Sequence, residues 1–123
     1  MAIISSSELV TYKNNQLIVD KVALQIQKDF QFYDEKIEFS GNQETAYDEL
    51  FNQIKPVIFR MLELDSARFF SLLYAIDIEE KKVRTLLLGN EEADVATELT
   101  HLILERELLK VVTRQLFSQQ SNI

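Results

Sequence analysis

One stretch near the carboxyl end of the sequence carries side chains that could bind a metal ion or move a proton. His101 is the single histidine of the 123 residues, and Glu98 and Glu105 lie three positions before it and four after it. In a helix these offsets place the three side chains near one face. Helical bundles bind metal ions with a Glu-x-x-His pair, and a histidine beside a carboxylate can act as a general acid or base. One hypothesis is therefore a helical enzyme that binds a metal ion or a small ligand.

Other features of the sequence weigh against an enzyme. A di-metal site of the usual kind needs a second histidine pair, and the chain has no second histidine. Short Glu-x-x-His matches arise by chance in acidic helices, in which case His101 is simply solvated beside two glutamates. Glycine-rich phosphate loops, a nucleophile elbow and cysteines are all missing. The sequence thus predicts no cofactor and favours a protein that is not an enzyme.

Three further residues are candidates for contact with a partner protein. Arg106 falls within the apolar stripe of its helix, so it must reach solvent, pair with a carboxylate of a neighbouring helix or contact an anionic group of a partner. Phe70 and Tyr74 are one helical turn apart and off the main apolar face of their helix. They either form an exposed aromatic ridge or pack against another helix of the same core.

Charge and hydropathy restrict the class of protein. Apolar residues make up 46% of the chain, and the net charge of −7 is spread evenly along it. Such a field repels nucleic acid, and no basic recognition helix is evident. No apolar run approaches the ~20 residues of a membrane span, and the first ten residues do not resemble a signal peptide. We therefore expect a cytoplasmic protein that binds neither nucleic acid nor a membrane.

The elements that must position these residues are predicted to be helices. Gly and Pro together number three, too few for a hairpin-rich fold. Apolar residues recur with a helical period on both sides of a loop at 34–42, in which Ile37 and Phe39 should turn inward. The stripe of the third segment keeps its phase across Pro56, which favours one kinked helix. The predicted helices are 6–13, 16–33, 43–63, 66–76, 78–88 and 91–117. Their candidate caps are Asn15, Asp65, Asp77 with Glu80, Gly89 and Asn90.

The fold class that follows is all-α. We predict a single domain over 1–123, an irregular bundle of about five helices in which the long C-terminal helix is central. The segment 6–13 is either a separate short helix or joined to the next one through Asn14 and Asn15. The last helix also carries apolar residues on a second side, so it is buried in the middle of the fold or at a subunit contact. The apolar residues on this second side are Leu104, Leu108 and Val111. They are a hint of self-association as a homodimer.

The first functional hypothesis is a protein-interaction module. A small acidic helical protein with little catalytic equipment fits an adaptor, a chaperone or an inhibitor that works through its helix faces, with Phe70, Tyr74 and Arg106 as contact residues. The alternative is the helical metal- or small-ligand-binding enzyme built on Glu98, His101 and Glu105. A third possibility is a transcription accessory that binds protein rather than DNA.

Overall fold

The computed structural model describes residues 5–121, which form six helices and no strand. The helices are α1 (Ser6–Lys13), α2 (Gln16–Gln31), α3 (Ala46–Leu64), α4 (Ser66–Ile76), α5 (Glu80–Leu87) and α6 (Glu92–Ser121). The prediction of an all-α bundle with a long last helix is confirmed. None of the six helices has the length and apolar character needed to cross a membrane.

The first two helices are separate. Asn14 ends α1, and the Asn15 side chain caps α2 by accepting a hydrogen bond from the Ile18 N–H at 3.2 Å. Ser5 caps α1 in the same way through the Glu8 N–H. Because an asparagine cap holds its own backbone outside the helical region, the alternative of one helix running through both asparagines is wrong.

The segment between α2 and α3 lies along α3 and is fixed by side chains. Ile37 is buried and Phe39 packs against the core, as predicted. The Gln53 side chain accepts from the Glu38 N–H and donates to the Glu38 carbonyl, both at 2.8 Å. Glu49 accepts hydrogen bonds from the backbone N–H and the hydroxyl of Ser40. The segment is therefore ordered without belonging to a helix.

Helix α3 continues through Pro56, as its unbroken stripe predicted. The proline is exposed, while the core-facing side carries buried apolar side chains on both sides of it. A proline within a helix removes one backbone hydrogen bond, and a solvent-facing position leaves water available to the freed carbonyl. The buried residues of α3 are Ala46, Leu50, Ile54, Val57, Ile58 and Met61.

The junction between α4 and α5 differs from the prediction of a capping box. Asp77 ends α4 in a left-handed conformation at φ 74°, and Glu79 occupies the N-cap position of α5 without a side-chain cap. Glu80 instead pairs with Arg84 one turn later. The capping box is wrong because the Asp77 side chain turns to α6, where it pairs with Arg106.

The junction between α5 and α6 confirms one predicted cap and corrects another. Gly89 follows the last turn of α5 with φ 77°, the left-handed conformation expected of a glycine at this position. The Asn90 side chain donates to the Leu86 carbonyl at 2.8 Å, so it caps the end of α5 rather than the start of α6.

Helix α6 is the centre of the bundle, because it contacts each of the other five helices. Its Leu99 and Ile103 are fully buried, together with large side chains from α2, α3 and α4. The prediction of a central last helix is confirmed. The largest fully buried side chains of the core are Phe30, Phe69, Ile26, Leu50, Ile54, Ile58, Met61, Leu72, Leu73, Ile76, Leu99 and Ile103.

The helix caps yield a stability prediction. The Asp65 carboxylate accepts from the Arg68 N–H at 3.1 Å, whereas Thr45 at the N-cap of α3 makes no side-chain cap bond. Asp65→Ala should lower the free energy of unfolding by about 1 kcal/mol. Thr45→Ala should change it by less than about 0.5 kcal/mol. Urea denaturation of the two variants makes the comparison, and equal losses would contradict it.

Candidate binding groove

An open groove of about 610 Å³ runs between α1, α3 and α6. Its lining is mainly apolar and aromatic, and the charged side chains among the lining residues are those of Lys13, Asp48 and Glu105. A concave apolar surface with a few charges is typical of a binding site. The lining residues are Leu9, Val10, Lys13, Tyr47, Asp48, Phe51, His101, Leu104, Glu105 and Leu108.

Tyr47 holds α1 in place as one wall of the groove. Its hydroxyl donates to the Lys13 carbonyl at 3.1 Å, and the Lys13 ammonium lies 4.9 Å from the centre of the Tyr47 ring. Burial raises the pKa of Tyr47 to about 12, so the hydroxyl keeps its proton and remains a donor. An eight-residue helix is not stable by itself, so α1 depends on contacts of this kind.

The opposite part of the groove is formed by His101 and Phe51. Their ring centres are 4.8 Å apart with the planes inclined by 39°. His101 and the neighbouring Glu105 are exposed, and Asp48 is exposed on α3. The groove therefore combines an apolar floor with two carboxylates on the α3 and α6 sides.

The predicted carboxylate–histidine face is only partly brought together. His101 and Glu105 line the groove, whereas Glu98 lines a shallow depression beside α5 with Glu79 and Lys82. Within the part of the chain that the structure describes, no three side chains of His, Asp or Glu are close enough to hold a metal ion. The geometry adds no support to the metal hypothesis.

The two aromatic candidates on α4 have different surroundings. Phe70 is partly buried, with its ring edge-to-face against Phe69 at 5.0 Å and the Arg84 guanidinium 5.2 Å from its centre. Tyr74 is 86% exposed. Of the two rings, only Tyr74 is largely accessible to a partner.

Arg106 is paired within the chain. Its guanidinium donates to the Asp77 carboxylate at the end of α4, and the side chain is one-third exposed. This is the arrangement in which an arginine on an apolar stripe is neutralised by a neighbouring helix. Its Nε is buried and has no hydrogen-bond partner. Because the Asp77 carboxylate already pairs with the guanidinium, an anionic group of a partner would have to compete with Asp77 for it.

The second apolar side of α6 is covered within the chain. Leu104, Leu108 and Val111 are all buried. Helices α1 and α2 both pack against α6. Leu104 and Leu108 also line the groove between α1, α3 and α6, so part of this side borders an open surface, and homodimerisation stays a prediction.

A cluster of ionisable groups that the sequence analysis did not single out lies between α2 and α6. Glu107 is fully buried, and its carboxylate is 2.5 Å from the Lys110 ammonium. Asp29 of α2 lies 3.6 Å from the same ammonium. The sequence does contain a signal for this cluster, because Glu107 stands one helical turn from both Ile103 and Val111. Like Arg106, it is a charged residue within an apolar stripe.

The attachment of α1 gives a prediction with a matched control. Tyr47→Phe removes the hydrogen bond to Lys13 and should lower the free energy of unfolding by about 1 kcal/mol. Amide exchange in α1 should accelerate. Tyr74→Phe makes the same chemical change on an exposed ring and should cost less than about 0.5 kcal/mol. Denaturation and hydrogen exchange test both variants, and unchanged exchange in α1 of the Tyr47 variant would contradict the assignment.

No protein-family model, curated protein or solved structure matches the chain.

Proposed function

We propose that this protein is a protein-interaction module whose groove between α1, α3 and α6 binds an amphipathic helix of a partner protein. The observation that carries the proposal is the apolar groove itself, which remains open between α1 and α3, both of which pack against α6. Proteins use grooves of this kind to take up the apolar face of a helix.

The shape and lining of the groove favour a helix over a compact ligand. The groove is bounded by three helices and open to solvent, so a segment can enter from the side. Val10 is 67% exposed at its edge, and the Phe51 and His101 rings give it an aromatic surface. Aliphatic side chains one turn apart on a partner helix could occupy these positions together.

The charges around the groove indicate the sign of the charge expected on the partner. Asp48 and Glu105 are exposed, whereas Lys13 is already placed over the Tyr47 ring. The chain as a whole carries a net charge of −7. Complementary charge increases the rate of association and selects among partners. The expected partner helix therefore has basic residues flanking its apolar face.

A synthetic peptide can test the proposal directly. The probe is an amphipathic peptide of about 14 residues containing only Leu and Lys, with a Leu/Glu peptide of the same pattern as the control. Fluorescence anisotropy should show saturable 1:1 binding of the Lys peptide, weakened by added salt, and far weaker binding of the Glu peptide. Amide shifts in NMR spectra should identify the residues of the groove as the contact site.

Two variants separate the groove from general surface charge. Val10→Arg places a bulky cation at the groove edge and should weaken binding by about tenfold or more. Leu88→Arg makes the same type of change at a residue that is 77% exposed and outside the groove, and should leave binding unchanged. Equal effects of both variants would overturn the proposal. Dimerisation of the free protein that Val10→Arg abolishes would also overturn it, because a second copy would then be the occupant.

A further inference from the structure

The buried cluster between α2 and α6 contains more negative than positive charge if every group is ionised. Glu107 and Asp29 are both acids, and within residues 5–121 the cation that pairs with them is Lys110. Glu107 is completely buried, and the other two side chains are each 17% exposed. A single ammonium cannot neutralise two carboxylates, and an uncompensated buried charge is strongly unfavourable.

The hydrogen bonding of the cluster points in the same direction. Both carboxylate oxygens of Glu107 and the Oδ2 of Asp29 are buried, and none has a hydrogen-bond partner when the carboxyls carry no proton. The Lys110 ammonium lies 2.5 Å from one Glu107 oxygen, and it is the charge that opposes protonation of Glu107. A proton on Glu107 would let it donate to the Asp29 carboxylate, leaving Asp29 and Lys110 as a neutral pair.

We infer that Glu107, Asp29 and Lys110 form a buried site that binds one proton, and that α2 packs more stably against α6 while this proton is held. The proton resides on Glu107 and is shared with Asp29 across the helix contact. When it is released to solvent, the cluster retains a net negative charge inside the contact. The site is separate from the groove, and the inference does not depend on the proposed function.

The surroundings of Glu107 explain why the proton is retained near neutral pH. Burial, followed by the hydrogen bond from Glu107 to Asp29, raises the pKa of Glu107 to about 8 against the opposing effect of Lys110. Among residues 5–121, Asp29 and Lys110 are the charged groups that act on it. Arg114 reaches the cluster indirectly, because it donates to Gln25, whose amide donates to Asp29.

The sign of the pH dependence follows from the raised pKa. Between about pH 4.5 and about pH 8 the folded chain holds a proton on Glu107 that the unfolded chain has lost. Unfolding releases that proton, so the ratio of folded to unfolded chains should fall by up to about tenfold per pH unit across this window. Below the window both states are protonated, and above it both are ionised.

Urea denaturation at several pH values tests the inference. Glu107→Gln keeps the shape of the side chain and removes its charge. The ratio of folded to unfolded chains of this variant should therefore no longer fall with rising pH through the window, and above about pH 8 it should exceed the ratio of the wild type. Glu105→Gln, an exposed change on the same helix, should keep the wild-type slope. Equal slopes in the wild type and the Glu107 variant would overturn the inference.

A second measurement does not depend on the folding of that variant. Carboxyl ¹³C NMR of the wild type should show one glutamate titrating near pH 8. Asp29→Asn removes a neighbouring negative charge and should move this midpoint to lower pH. A spectrum in which every glutamate titrates near the ordinary pH of about 4.3, or a midpoint that Asp29→Asn does not move, would refute the shared proton.

Discussion

The constraint on which the structure depends is that the apolar sides of α6 must be covered. Its central turns carry apolar side chains around most of the circumference, and each of the other five helices contacts it. A helix of this kind cannot rest on the surface of a bundle, because removing apolar area from water is the main favourable term in folding. Helices α1 to α5 are therefore arranged around α6, and the groove and the buried cluster both lie where these helices contact it.

The groove and the buried cluster reflect two different ways of covering a central helix. On one side the cover is the short α1, whose Leu9 is its one buried apolar side chain, and the space beside it remains open. On another side α2 packs against α6, and Glu107 becomes enclosed with Asp29 and Lys110. The open space beside α1 leaves an accessible apolar surface. The closer packing of α2 encloses a carboxyl group, and its protonation affects the stability of the fold.

The sequence was sufficient for the helices but not for the site. Apolar period and caps such as Asn15, Asp65 and Gly89 predicted where most helices begin or end, since these signals are local. Asp77 was misassigned because aspartate suits both an N-cap and a left-handed turn, and the deciding partner, Arg106, lies on another helix. The groove depends on how α1 and α3 are placed around α6, and the partnership of Asp29 with Glu107 joins distant parts of the chain. Neither has a local signature, although Glu107 is an acid within an apolar stripe.

The pinning of Glu38 by Gln53 has a consequence for how the protein behaves in a crowded solution. The side-chain amide satisfies both the N–H and the carbonyl of one residue, as an adjacent strand would. An extended segment with unsatisfied backbone groups invites pairing with the same segment of another molecule, which is a route to aggregation. Here a glutamine from α3 takes the place of that neighbour, so the segment between α2 and α3 offers no template for intermolecular β-pairing at Glu38.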